Sequence, residues 1–201
     1  MALPWPCSRT RWRPPWRRSP QPSKRTATWS EFVALRNIEM KARLRGRAAA
    51  LAVCEGLKAS AQGDIHQIDT YFRVPAGRLK LREAQPGRTE LVQYHRPDSA
   101  GPKGCDYQLS ACNADIKPLL AEALGVLTVV DKVRTLYLWK NVRIHIDAVQ
   151  SLGSYIEFEA VLDDTHDDAD GHAKLQELMQ AFGITDADHE PVSYLDLMLR
   201  A

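Results

Sequence analysis

At 201 residues and 44 % apolar side chains, the chain has the size of one ordinary domain with a real core. Its net charge of +2 hides an asymmetry: residues 1–30 hold seven Lys/Arg and no Asp or Glu, which leaves 20 basic and 25 acidic side chains on residues 31–201. That acidic remainder argues against nucleic-acid binding, no apolar run approaches the ~20 residues of a membrane helix, and Cys7, Cys54, Cys105 and Cys112 form no zinc pattern.

Free thiols and the absence of a secretory apolar core predict a reducing, cytoplasmic setting. The first thirty residues contain six prolines, four tryptophans and six arginines, with neither helical nor strand periodicity, so disorder is expected there. The segment is Arg-rich and acid-poor like an organellar transit peptide, but its prolines interrupt any amphipathic helix. A tail of this kind could touch anionic lipid or nucleic acid. The simpler reading is a translational start near Val33, which makes residues 1–32 an extension and 33–201 the domain.

Residues 35–45 read as a strand and residues 46–61, rich in Ala and Leu, as a helix. HQIDTYFRV, GRLKLREA and TELVQYHRP read as three more strands, divided by the turn signals Pro75-Ala76-Gly77 and Gln85-Pro86-Gly87. Pro97 to Gly104 reads as a loop and CDYQLSAC as a strand. Asp115 to Leu124 reads as a helix closed by Gly125. A long strand, VLTVVDKVRTLYLW, then turns at Asn141 into VRIHIDAV, and Gly153 opens the last strand, YIEFEAVL. A helix is expected from Asp167 to Phe182, and a final short helix or turn from Pro191 to Leu199. Eight strands joined mostly by short turns predict an antiparallel α+β domain whose strand count suits closure into a barrel.

Charge on these strands falls at every second position, and alternate residues of a strand share one face. Glu39 and Lys41, then Arg78, Lys80 and Arg82, then Glu157 and Glu159 each form such a set. Alternating charge on an antiparallel strand is usually a solvated outer face. Here it recurs on most strands, each with an apolar face opposite. A closed barrel with charge inside and apolar side chains outside, under helices, explains both. Such an interior repels itself unless a highly charged ligand fills it. Carboxylates on two distant strands and cations on a third could thus build one site for a divalent metal and a polyphosphate.

The strings RNIEMKARL, HQIDTYFRVPAGRLKLRE, ELVQYHRPDSAGPKGCDYQ, VVDKVRTLYLWKNVRIHIDAV, LGSYIEFEAVL and SYLDL, in this order and spacing, resemble the CYTH family over about residues 35–199. That family includes class IV adenylate cyclases and thiamine triphosphatases, within the triphosphate tunnel metalloenzymes. The resemblance implies an eight-stranded antiparallel tunnel with helices outside. It implies an enzyme acting on a nucleoside, thiamine or inorganic triphosphate with Mg²⁺ or Mn²⁺, as a monomer or homodimer. The family's opening Glu-x-Glu-x-Lys stands here as Asn37, Glu39 and Lys41, so one carboxylate is replaced by a neutral oxygen donor.

By the same resemblance, Lys41, Arg78, Lys80, Arg82, Arg96, Lys132, Arg134 and Arg143 are candidates to hold phosphate, Arg by bidentate geometry and Lys as a point charge. Glu39, Glu157 and Glu159, with Asn37 and Asp147, are candidate metal ligands. Lys41, Arg134 and Asp147 are the expected catalytic groups, Asp147 as a further ligand or a water-orienting base. His145 could line the tunnel or be a hydrogen-bonded structural histidine, and Tyr94 could stack on a base or thiazole ring or simply pack. His66, Asp69 and Tyr71 receive no role. Two reactions are open: water attacking the γ-phosphorus, or a ribose 3′-hydroxyl attacking the α-phosphorus to give 3′,5′-cyclic AMP and pyrophosphate. A binding module without turnover is the alternative, because of Asn37.

Overall fold

The computed structural model describes residues 35–95 and 102–201. The N-terminal segment, the proposed start near Val33 and Arg96 lie outside the described residues. Eight strands follow in chain order: β1 (Leu35–Arg43), β2 (Ser60–Phe72), β3 (Arg78–Gln85), β4 (Thr89–His95), β5 (Lys103–Ala111), β6 (Val126–Trp139), β7 (Val142–Val149) and β8 (Gly153–Val161). They close into an antiparallel barrel in the order β1-β5-β4-β3-β2-β6-β7-β8, the last pairing back onto β1.

Closure explains the charge pattern. On β1, Ile38, Met40 and Ala42 face outwards, and on β7 and β8 Ile144, Ile146, Ile156, Phe158 and Ala160 do the same. Helix α1 (Arg47–Gly56) covers this surface with Ala50 and Cys54, and α3 (Asp168–Ala181) with Leu175 and Leu178. Period-2 strands therefore carry their apolar side to a sheet–helix core and their polar side to the barrel axis. Helix α2 (Ile116–Leu124) lies against β2 and ends at Gly125, whose φ of 73° suits glycine.

Several boundaries differ from the sequence reading. Helix α1 ends at Gly56, not near residue 61, and β2 begins at Ser60, six residues ahead of His66. Lys58, at φ 53°, turns the chain out of the helix, and a bulge between Ala61 and Gly63 lets the added residues pair with β6. Cross-strand partners on β6, from Arg134 to Leu138, recruit the stretch from Ser60 to Ile65, of which Ser60 and Ala61 read as helix from composition. Lys103 and Gly104 likewise join β5 by pairing with Glu39 and Ile38.

The axis is not charged along its whole length. One end holds a second apolar cluster of Tyr71, Val92, Tyr94, Cys105, Val130, Val149 and Tyr155. Tyr194 and Leu195, from the C-terminal helix α4 (Tyr194–Arg200), complete it. Tyr155 and Tyr194 meet edge to face with ring centroids 5.2 Å apart. Among the described residues no helix is long and apolar enough to cross a membrane.

Candidate functional site

Strand register builds an acidic wall inside the barrel. Glu39 on β1 lies opposite Glu159 on β8, which lies opposite Arg143 on β7. One step along, Lys41 lies opposite Glu157, which lies opposite His145. Carboxylates facing each other across neighbouring strands repel unless cations intervene. Arg143 Nη1 stands 3.5 Å from Glu159 Oε2, and His145 Nδ1 stands 3.6 Å from Glu157 and 3.7 Å from Glu159. Burial alone would raise the Glu157 carboxyl, but the adjoining His145, Arg134 and Lys41 outweigh it and hold it well below the usual range. Glu159 is lowered too: His145, Arg134 and Arg143 prevail over its burial and the neighbouring Glu157.

A basic wall of β3, β2 and β6 is organised around Asp69, which is 1 % exposed. Lys80 Nζ donates to it at 2.9 Å, Arg82 at 2.8 and 3.1 Å, and Lys132 Nζ lies 3.5 Å away. These cations, Arg82 first, overcome the desolvation of Asp69 and keep it ionised, its pKa well below the carboxylate norm. Lys132 is lowered to about 8 by burial and by the neighbouring Arg134. Arg134 joins the two walls. Its guanidinium grips Asp147 at 2.7 and 2.6 Å and reaches Glu157 at 2.6 Å.

The C-terminal segment closes the tyrosine-lined end. Tyr194 donates its hydroxyl to Asp147 at 2.9 Å, and its ring lies 4.4 Å from Lys41 Nζ and 5.0 Å from Lys132 Nζ. Lys41 Nζ donates to the Val192 carbonyl, Lys103 Nζ to that of Pro191 at 2.6 Å, and Arg78 to Asp196 at 2.9 Å. Ser193 and Asp196 cap α4 reciprocally.

Between the walls lies a cavity of about 330 Å³. Among the described residues seven cations line it, Lys41, Lys80, Arg82, Arg88, Lys132, Arg134 and Arg143, against four carboxylates, Glu39, Glu90, Glu157 and Glu159. Arg88 and Leu109 are exposed and mark its open end. Tyr71, Tyr94, Tyr107 and Val92 give it an aromatic and apolar side.

Most of the sequence-predicted residues meet here. Asn37, Glu39, Lys41, Lys80, Arg82, Lys132, Arg134, Arg143, Glu157 and Glu159 all line the one cavity. Asp147 sits behind it with both oxygens engaged by Arg134 and one also by Tyr194. Arg78 reaches the C-terminal cap through Asp196, and Arg96 lies outside the described residues. Tyr94 is buried against Tyr71 in the closed end. Asp69 is the main residue that patterning leaves without a role, although it falls on the same face as Tyr71. Tyr194 and Asp196 belong to the SYLDL string of the family resemblance but receive no role from the sequence, because only tertiary structure brings the last turn to the barrel axis.

A comparison with proteins of curated function finds no match. Among solved structures, the PH1012 protein of Pyrococcus horikoshii is 23 % identical, with a TM-score of 0.70 over 80 % of this chain and 98 % of its own. A proposed adenylate cyclase of Vibrio parahaemolyticus is 20 % identical, with a TM-score of 0.68 over 82 % and 98 %. The proposed adenylyl cyclase HpAC1 of Hippeastrum, described as having a dominant triphosphatase activity, is 16 % identical, with a TM-score of 0.58 over 82 % and 95 %. At these identities the likeness is one of fold. The sequence profile of the CYTH domain matches residues 35–194, from the first strand of the closed barrel to the tyrosine that stops its end, and the chain belongs to the CYTH domain family.

Proposed function

We propose that this protein is a divalent-metal-dependent enzyme that acts on a triphosphate inside the barrel. One observation carries this reading: an acidic wall faces a basic wall across a single cavity of about 330 Å³, at the lower end of the roughly 300–1,000 Å³ typical of small-ligand sites. The charge balance supports it. The seven lining cations face four lining carboxylates, with Asp69 and Asp147 buried behind them, so the fixed charge is close to neutral. A triphosphate brings about four negative charges, which this tunnel would not neutralise unaided. Divalent cations entering with the substrate supply the difference.

The donor set suits such a cation, because Glu157, Glu159 and Glu39 present carboxylate oxygens and Asn37 Oδ1 is a buried acceptor without a hydrogen-bond partner. A metal bound there would polarise a phosphoryl oxygen and neutralise developing charge. The chain's own residues do the rest. Lys80, Arg82, Lys132 and Arg134 hold the phosphate oxygens, already fixed by Asp69 and Asp147, so little side-chain reorganisation accompanies the reaction. Asp147 acts through Arg134, locking the guanidinium in one orientation. Lys41, held by the Val192 carbonyl and the Tyr194 ring, places a charge beside Glu157. The aromatic side of the cavity gives the organic part of a nucleoside or thiamine triphosphate a surface to lie on.

A second reading, a polyphosphate-binding module, is favoured by Asn37, whose neutral side chain leaves the acidic wall one carboxylate short. Incubating the full chain with ATP, inorganic triphosphate and thiamine triphosphate, with Mg²⁺ or Mn²⁺, and resolving the products by chromatography tests both. Orthophosphate identifies a triphosphatase, and cyclic AMP with pyrophosphate a cyclase. Binding of triphosphate with no product from any of them refutes the enzyme and establishes the module.

A further inference from the structure

His145 is 4 % exposed, and its Nδ1 makes no hydrogen bond. The ring projects from β7 to the barrel interior, in phase with Arg143 and Asp147 and opposite to Ile144 and Ile146. Its nearest acceptors, Glu157 Oε2 at 3.6 Å and Glu159 Oε1 at 3.7 Å, stand beyond hydrogen-bond distance. A buried polar atom left unpaired is costly, so a nitrogen aimed between two carboxylates calls for something between them.

The spacing indicates what fits. One ring nitrogen and one oxygen from each glutamate lie within 4.8 Å of one another. Donors held about 2.1 Å from a common ion are ~3.0 Å apart at octahedral corners and ~3.4 Å apart at tetrahedral ones. The separations of 3.6 and 3.7 Å are wider than either value, so the two carboxylates and the ring must draw in by several tenths of an ångström to hold an ion.

We propose that His145 Nδ1, Glu157 and Glu159 form a three-donor site in which the imidazole nitrogen is a direct metal ligand, so that this tunnel takes a first-row transition ion of the Mn²⁺, Fe²⁺ or Co²⁺ class ahead of Mg²⁺. The proposal rests on the reading that the tunnel holds a divalent cation. Mg²⁺ keeps oxygen ligands and dehydrates reluctantly, whereas an imidazole nitrogen suits the later ions and strengthens along the Irving–Williams order. A site of one nitrogen and two carboxylates, with positions left for phosphate oxygens, is therefore biased before substrate arrives.

The test uses Mn²⁺ alone on the full chain, stripped with EDTA and free of triphosphate. Loss of the aqueous Mn²⁺ resonance measures binding, and pulsed electron paramagnetic resonance reads nitrogen at the bound ion. The expected result is a tight Mn²⁺ site with ¹⁴N modulation from a coordinated imidazole, displaced by Mg²⁺ only at about tenfold higher concentration or more. His145→Gln should remove the modulation and narrow the Mn²⁺/Mg²⁺ ratio while circular dichroism stays unchanged. Glu157→Gln should weaken the same site. Bound Mn²⁺ with no ¹⁴N modulation in the wild type overturns His145 as a ligand and leaves the cation site standing; this needs no variant to fold. Absence of any Mn²⁺ binding overturns the cation-holding tunnel as well.

Discussion

Replacing Asp69 by Asn tests whether the basic wall is held open by a buried counter-charge. The carboxylate is 1 % exposed and is the shared partner of Lys80, Arg82 and Lys132. Asn keeps the volume and one acceptor oxygen but removes the charge, so three cations keep their burial and lose their anion. Breaking a buried ion pair by removing one partner costs about 3–5 kcal/mol, and the surviving acceptor puts this case near 3. For a domain of this size that is a fall in Tm of roughly 6–12 °C. Inorganic triphosphate should replace the missing charge. Ligand stabilisation grows with the logarithm of concentration over Kd, so the variant should gain more from it than the wild type does. Thermal melts of both proteins in EDTA, with and without inorganic triphosphate, measure this. The acid limb provides a further check. The depressed carboxyl of Asp69 contributes stability that is present above the unfolded value near 4 and is lost as pH falls towards its folded value, so Asp69→Asn should flatten that limb. An apo variant within about 2 °C of wild type, or one that triphosphate rescues no more than it stabilises wild type, would refute the counter-charge argument.

Further outcomes follow from the same geometry. Lys132 titrates near 8 in the fold, so affinity for inorganic triphosphate should weaken as pH rises through 8, and Lys132→Arg should abolish that decline in calorimetric titrations from about pH 7 to 9.5. The linked stability runs the other way, rising between about pH 8 and 10 because the unfolded chain still holds the proton that the folded chain has released. Glu159→Gln should cut metal-dependent turnover by roughly a hundredfold with the melting point little changed; a collapse of the fold instead would make the residue structural. Tyr194→Phe, which deletes the 2.9 Å bond to Asp147, should lower stability by about 1 kcal/mol and Tm by roughly 2–4 °C. Asn37→Glu should raise Mg²⁺ affinity in direct titration by adding a carboxylate to the acidic wall, and an unchanged affinity would place position 37 outside the metal site.

Strand period carries most of this site in the sequence. Alternation alone puts Glu39 with Lys41, Lys80 with Arg82, Lys132 with Arg134 and Glu157 with Glu159 on common faces, and closure turns every such face to one axis. What alternation does not carry is which residues meet across that axis. Asp69 is a single acid between Gln67 and Tyr71, and its role exists only because β3 and β6 flank β2. Asp147 and Glu157 look equivalent as inward acids, yet Arg134 binds one with two nitrogens and touches the other with one. The cap formed by residues 189–200 depends on contacts more than a hundred positions away in the chain, such as Lys41 with Val192 and Arg78 with Asp196. The early end of α1 has the same origin, since pairing with β6 outweighs the helical preference of an Ala-rich stretch.

The two walls are therefore not a plain separation of charge. Lys80 and Arg82 donate to Asp69, which is buried and does not line the cavity, Lys132 lies 3.5 Å from it, and Arg134 is fixed by Asp147 while its remaining reach goes to Glu157. Such anchoring holds the donors in place at nearly constant fixed charge, which limits self-repulsion while the cavity is empty. On the proposed function it also predicts an order of events. A bare triphosphate meets donors already partnered and carboxylates that repel it, whereas a cation bound first on the acidic wall turns that wall from repulsive to attractive. Ion and triphosphate binding should then be positively coupled, each tightening the other by the same factor. A tunnel in which inorganic triphosphate binds equally well with and without the ion would have to be held together by the basic wall alone.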